Sequence, residues 1–376
     1  MIAKINKNYT QQNMLAVILK VILTLLIHST PSRATNLYGT TLIPSSPTCD
    51  GAKTGCTQLV SIDVTTGTLT NIGNGHAFLD GLNDLGVVVG DLYYALGAGW
   101  IGGASGSSAG PTLVALSLKD GSEVCRVEVP EFHVIQSIGG GQSLVHDAKN
   151  QRLLLAGLNA SSTKAPHMLL SAPLAGGCGP FTALGVYGKG GPGFPFAMQY
   201  HGSSLDEVGQ RMFATMYTTT GQEGVGVIDV SGHTANLTAL YPMDGHHQVL
   251  YGPTFLASSG LLVGAFDHSF ESPKPGQGVD WNTLDPKTGA WTNARLQYAS
   301  GVPTFDGLLG AGVLRAFDAA SSTLYVVAWR GEEVKANLEL VSIDARSGTM
   351  TAHSGPLNGD LGWAYTILQN MALASV

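Results

Sequence analysis

Six glycines, Gly67, Gly121, Gly177, Gly232, Gly289 and Gly348, stand 54, 56, 55, 57 and 59 residues apart. The residues around them repeat as well. Val60-Ser61-Ile62-Asp63 runs through Val64-Thr65-Thr66 to Gly67-Thr68, and Val341-Ser342-Ile343-Asp344 runs through Ala345-Arg346-Ser347 to Gly348-Thr349. Weaker copies surround the other four glycines, such as Val227-Ile228-Asp229 before Gly232 and Leu284-Asp285-Pro286-Lys287-Thr288 before Gly289. Each copy reads as an apolar strand, an Asp that caps a turn, and a Gly that supplies the left-handed conformation closing a short hairpin. A second hairpin signal runs in phase with the first. Asp147 to Leu154, Asp206 to Phe213 and Asp318 to Tyr325 share one pattern, with the aspartates 59 and then 112 residues apart.

A unit of about 56 residues with two hairpin turns holds four strands, and radial repetition of four-stranded units describes a β-propeller. No segment after residue 36 shows sustained helical periodicity, and glycines at 307, 310 and 312 argue against a helix over Leu308 to Phe317. The chain opens on a strand without an inner partner, Leu37 to Leu42, and ends on one without followers, Trp363 to Leu368. Pairing these two completes a blade and removes both exposed edges. The expectation is an all-β, six-bladed propeller of four-stranded antiparallel blades. Its ring is closed by the C-terminal strand joining the N-terminal blade, with residues 35–376 forming one domain.

Residues 1–34 read as a secretory signal peptide. Met14 to Ile27 is a fourteen-residue apolar run interrupted by Lys20, shorter than the roughly twenty residues of a spanning helix. Basic residues precede it and Ser32-Arg33-Ala34 follows, with small residues at both positions a signal peptidase reads. The mature chain is then secreted, or periplasmic in a bacterial source, with no membrane span left. Four cysteines fit an oxidising compartment. Cys49 and Cys56 lie in one short loop, which leaves Cys125 and Cys178 to pair by elimination. Asn159-Ala160-Ser161 and Asn236-Leu237-Thr238 are glycosylation sequons. Without its leader the chain carries 15 basic and 26 acidic residues, a net charge of −11. So few cations cannot build a broad phosphate-binding face, which excludes nucleic acid as a partner.

The Val-x-Ile-Asp-x-x-x-Gly-Thr pattern at residues 60–68 and 341–349 resembles the degenerate repeats of quinoprotein-like and YVTN-like propellers. That resemblance implies fold, not activity. Quinone-dependent members place a docking Trp four residues past the repeat glycine, whereas here only Trp291 is near one, two past Gly289, so no quinone is expected. Gly97-Ala98-Gly99-Trp100-Ile101-Gly102 satisfies a dinucleotide fingerprint and Gly106-Ser107-Ser108-Ala109-Gly110 a nucleophile elbow. Both need a following helix, and both lie in a Gly/Ser-rich loop instead.

In a propeller the long loops and the outer-to-inner connections share one face, where the central tunnel opens. His76, His133, His246 and His247 fall on such connections, as do Asp80, Glu131, Asp306 and Asp360. Trp100 and Tyr241 are expected on the same face. Ordinary loop histidines and turn-forming Asp-Gly pairs account for these residues one by one. Taken together they support two readings. The first is a binding or interaction module for a protein or carbohydrate ligand, with Asp80, Trp100, Tyr241 and Asp360 on the ligand face. The alternative is a metal-dependent lyase or hydrolase, similar to six-bladed propeller lyases and lactonases. There the four histidines would be candidate ligands to zinc or calcium and Glu131 or Asp306 the base.

Overall fold

A computed structural model describes residues 37–43, 56–76, 86–97, 112–128, 132–133, 144–159, 167–174, 177–186, 196–218, 222–245, 247–250, 252–267, 278–308, 315–330, 338–359 and 367–373. Among them there is no helix; every regular element is a strand, and the strands form six sheets. The second blade shows the plan, its strands Val87–Val89, Leu92–Gly97, Thr112–Ser117 and Glu123–Glu128 pairing antiparallel in sequence order from inside to outside. The fourth (Phe196–Asp206 to Asn236–Pro242) and fifth (Thr254–Leu256 to Ala290–Arg295) follow it. In the third and sixth the inner strand comes in two pieces, Phe132–His133 with Leu144–Asp147 and Gly307–Leu308 with Arg315–Asp318.

The first blade closes the ring. Its inner strand is Ile367–Leu373, which pairs antiparallel with Leu37–Ile43 in a register from Leu37 opposite Leu373 to Leu42 opposite Ile367. Cys56–Ile62 and Thr68–Asn71 complete it. The closing strand lies a few residues beyond the Trp363 to Leu368 expected from apolar content; the joining of the two chain ends is as expected.

Why the sheets stand face to face follows from their burial. Most second and third strands are apolar at consecutive positions, not alternate ones: Leu113 to Leu116 and Leu324 to Ala328 are all buried. A strand buried on both faces needs a neighbour on each side. Odd and even residues accordingly divide between two seams. Tyr93 and Ala95 pack with Leu59 of the first blade, whereas Tyr94 and Leu96 pack with Leu153 and Leu155 of the third. Six such apolar clusters exist, one per seam. The cluster joining the last blade to the first, with Leu37, Val60 and Ile62 against Tyr325, Val327 and Leu340, is built like the rest.

The repeated turns have the predicted chemistry. Asp63 Oδ1 accepts the amides of Thr65 and Thr66 at 2.8 and 2.9 Å, and Gly67 N–H donates back to Asp63 O at 2.9 Å. Asp285 and Asp344 cap their turns the same way. The sequence did not reveal that each outer turn also seats the preceding blade. A Cβ on Gly121 would fall 2.2 Å from the Ile72 carbonyl oxygen of the first blade, at φ +70°. Ala235 N–H bonds Leu184 O across the third seam, and Gln297 N–H bonds Gly348 O across the fifth. At the closing seam Asn358–Gly359 runs parallel to Thr68–Leu69. The second seam is covalent: Cys125 on an outer strand is bridged to Cys178 beside Gly177, with 5.8 Å between the Cα atoms. This is the pairing expected by elimination; the pairing of Cys49 with Cys56 lies outside the described residues.

Two expectations test this account. Gly121→Ala should cost about 2–4 kcal/mol, the left-handed penalty plus a backbone clash, whereas Gly90→Ala, with nothing within 4 Å of its Cβ, should cost only about 1 kcal/mol; thermal melts of both variants check it. Opening the disulfide, which closes 53 residues, should cost about 2–4 kcal/mol. A Cys125→Ala/Cys178→Ala variant should therefore melt several degrees lower and lose the sensitivity to reductant.

Candidate functional site

The inner strands of the third, fourth and sixth blades share a feature invisible in composition. Each ends in a four-residue segment, Leu144–Asp147, Ser203–Asp206 and Arg315–Asp318, whose Asp begins the turn to the second strand. Immediately before that segment the register breaks in all three. In the third blade the pairing passes from His133 opposite Leu158 to Leu144 opposite Leu155. In the fourth, residues 199–202 stand opposite one residue, between Met216 and Ala214, and in the sixth the pairing passes from Leu308 opposite Ala328 to Arg315 opposite Val326. In all three the register thus shifts at the same position, three residues before the turn-forming Asp. Shifts of this kind re-aim side chains and are concentrated beside functional sites.

Below that level the turns are rigid. Asp147, fully buried, accepts from Arg152 Nε at 2.7 Å, from Asn150 Nδ2 at 2.7 Å and from Gln210 Nε2 of the next blade at 3.3 Å. Asn150 Nδ2 also bonds Gln210 Oε1 at 2.6 Å, and Arg152 Nη2 bonds Val230 O at 2.6 Å. Asp206 holds Arg211 at 2.6 Å. Gln151, Gln210 and Ser322 occupy equivalent turn positions at φ of 50°, 50° and 57°. These bonds fix the lower rim of the ring.

Arg315 is the first residue below the break in the sixth blade. Its Nε bonds Thr254 Oγ1 at 3.1 Å and its Nη2 bonds Pro253 O at 2.9 Å, both on the fifth blade. Its Nη1 and Nη2 lie 3.1 and 3.2 Å from where a Cβ on Gly202 of the fourth blade would stand. The side chain therefore spans three consecutive inner strands along the channel wall. Gly202, at φ +73°, leaves the space it fills. Burial alone lowers the guanidinium pKa to about 10. The hydroxyls of Ser203 and Ser204, next along the chain from Gly202, are buried with no protein partner, as is Nε2 of His146. Burial lowers the His146 pKa, outweighing the charges of Glu207 and Asp147, so this imidazole is neutral at pH 7.

The residues singled out from sequence are placed differently. His76 pairs by its backbone with Thr57, and its Nε2 meets Gly121 O at 2.7 Å, so it belongs to the first seam. Tyr241 donates its hydroxyl to Pro286 O at 2.5 Å, beside Gly289 of the next blade. His247 O accepts from Asn293 Nδ2 of the fifth blade's outer strand at 3.1 Å. These three lie toward the outer strands and are not brought together, because outer strands end against the neighbouring blade's turn and not over the axis. Asp306 keeps its expected place before an inner strand, its N–H bonding Trp329 O. Its Asp-Gly pair is not a turn, however. Gly307 starts a strand, and a Cβ there would meet the Asp267 carboxylate at 2.3 Å; that carboxylate accepts Leu308 N–H at 2.7 Å. Burial first, then the charges of Asp267 and Asp306, raise the pKa of Tyr298 close by. His133 lies in a described strand, but its side chain, like Asp80, Trp100, Glu131, His246 and Asp360, falls outside the described residues. Among the described residues no three His, Cys, Asp or Glu side chains form a metal-binding group.

One further cluster lies above the sixth blade. Glu339, fully buried, is held between Arg330 and His353 Nδ1, the latter at 2.6 Å, and Phe305 packs against both partners.

No family model matches the chain. No curated protein matches it either. Among solved structures it is similar to TolB from Acinetobacter baumannii, at 10% identity and a TM-score of 0.47, over 90% of this chain and 66% of that one. It is similar to the periplasmic gluconolactonase PpgL of Pseudomonas aeruginosa at 14% identity and 0.46, over 84% and 82%. The propeller domain of the Trilobed protease from Pyrococcus furiosus gives 9% and 0.41, over 73% and 70%. The six-bladed assignment rests on the strand pairing itself.

The Asp147 network makes a pH prediction. Burial alone would raise the Asp147 pKa, but the bonds from Asn150, Arg152 and Gln210, with the charge of Arg152, outweigh it and hold the value below 3.8. A lowered folded pKa gives stability that is complete above the unfolded value and lost as pH falls through the folded one. Melting temperature should be flat from about pH 7 to about pH 5 and fall below about pH 4. Asp147→Asn should flatten part of that fall while costing about 3 kcal/mol near neutrality, since Arg152 loses its counter-charge.

Proposed function

We propose that this protein is an exported propeller acting as a binding or interaction module, with a protein or carbohydrate ligand received on its loop-bearing face and in the axial channel. The observation that carries this reading is the shared height of the three inner-strand breaks, with an enclosed guanidinium at that level. A register shift at one position in three separate blades serves no packing need of a four-stranded sheet. Among the described residues the groups near that level are the Arg315 guanidinium, the Ser203 and Ser204 hydroxyls and the His146 imidazole, all able to form hydrogen bonds to a ligand.

Export is supported by the Cys125–Cys178 bridge, which fits an oxidising compartment, and by the leader-like residues 1–34. The first blade's strand begins at Leu37, fully buried, so removal of 34 residues leaves every described strand intact. N-terminal sequencing of protein recovered from the medium or periplasm should read from Thr35. Glycan and peptide arrays probed with that mature chain should give a reproducible ligand class; an array with no hits would count against a binding role. Elemental analysis and titration with zinc or calcium separate this from the metal-dependent alternative, for which at least one equivalent of bound metal is required.

A further inference from the structure

We propose that the axial channel binds the carboxylate group of a small organic acid, held by the Arg315 guanidinium beside the Thr254 hydroxyl. This rests on the binding-module reading and names the ligand class of its channel.

A guanidinium offers five N–H donors in a rigid planar fork. In Arg315 two contacts use it, to Thr254 Oγ1 and Pro253 O, and both acceptors are neutral. Its Nη1 and Nη2 lie beside Gly202 of the fourth blade, and among the described residues no carboxylate pairs with it. Arginines elsewhere in this fold pair with carboxylates: Arg152 with Asp147, Arg211 with Asp206 and Arg330 with Glu339. An enclosed cation without a counter-ion is costly, and a planar oxyanion that satisfies the fork bidentately relieves that cost.

The charge count selects among oxyanions. One guanidinium supplies one positive charge, and the Thr254 hydroxyl beside it is neutral, so a monoanion matches the site. A phosphate group carrying close to two negative charges at neutral pH would be left half-compensated inside a chain that is already acidic.

The test is calorimetric titration and thermal shift of the mature chain with sodium acetate, glycolate, lactate and gluconate, against inorganic phosphate and sulfate at matched ionic strength. At least one monocarboxylate should bind saturably and raise the melting temperature, more strongly than either inorganic anion. Arg315→Met should abolish that binding. Arg315→Lys, which keeps the charge and loses the fork, should weaken it at least tenfold, and it serves if the Met variant does not fold. Absence of saturable binding by every carboxylate, equal or tighter binding of phosphate or sulfate, or affinity within twofold of wild type in Arg315→Lys would each overturn the inference. A chain that captures an array ligand yet ignores all four carboxylates loses this inference and keeps the binding role.

Discussion

Everything in this molecule depends on sheets that are apolar on both faces. A sheet with one apolar face can stop at water; one with two must be covered twice. Four-stranded blades satisfy that need by standing face to face, and only a closed ring leaves no uncovered blade at either end. Closure is therefore not an ornament of the chain ends. The pairing of Leu37–Ile43 with Ile367–Leu373 gives the sixth blade a neighbour, and the seam it creates buries Leu37, Val60 and Val327 completely. Closing the ring also sets all six inner strands around one axis, where any side chain too polar for the seams must go.

The seams are uniform in their apolar middles and individual at their outer edges. Every seam brings the end of one blade against the next blade's outer turn, but the chemistry differs. One uses a histidine against a carbonyl, another a disulfide, others a backbone amide or a tyrosine hydroxyl. A shared position filled by unlike bonds indicates that geometry, not any one interaction, defines it. The short distance across these turns also explains why Gly121 and Gly348 must lack a side chain: a Cβ would meet the Ile72 carbonyl in one and the Trp281 ring in the other. The repeat glycine closes its own hairpin and admits its neighbour.

What could be read from sequence follows this division. Turn chemistry is local, so Asp63, Asp285, Asp344 and their glycines announced the hairpins and the blade number, and the unpartnered apolar runs at the two chain ends announced closure. Lateral placement is not local. His76 sits on an outer-to-inner connection and Tyr241 near the end of an outer strand, and both are taken up at seams. The tilt of outer strands toward the neighbouring blade has no signature in residue type. Strand register was equally hidden, because strands buried on both faces lose the polar–apolar alternation that sets it. Hence the inner-strand breaks before Leu144, Ser203 and Arg315 went unseen. One signal was available: aligning the chain on Asp147, Asp206 and Asp318 puts Leu, Ser and Arg at the equivalent position three residues earlier. A charge in that column of an otherwise apolar inner strand marks a position that packing alone does not fill.

The energetics of that charge argue in the same direction. Replacing an enclosed ion by an apolar residue of similar volume is commonly neutral or stabilising, even when the ion is paired. Arg315 is less well compensated than a pair, since a hydroxyl and a carbonyl stand where Arg152 and Arg211 have carboxylates. Fold stability therefore gives no reason to prefer arginine over methionine there, and the lowered guanidinium pKa registers the cost. That cost is recovered only when a negative group enters the channel. A cation held in place by Thr254 and Pro253 and packed beside Gly202 is preorganised for that event: the desolvation and side-chain ordering that a surface arginine would pay on binding are already complete in the free protein.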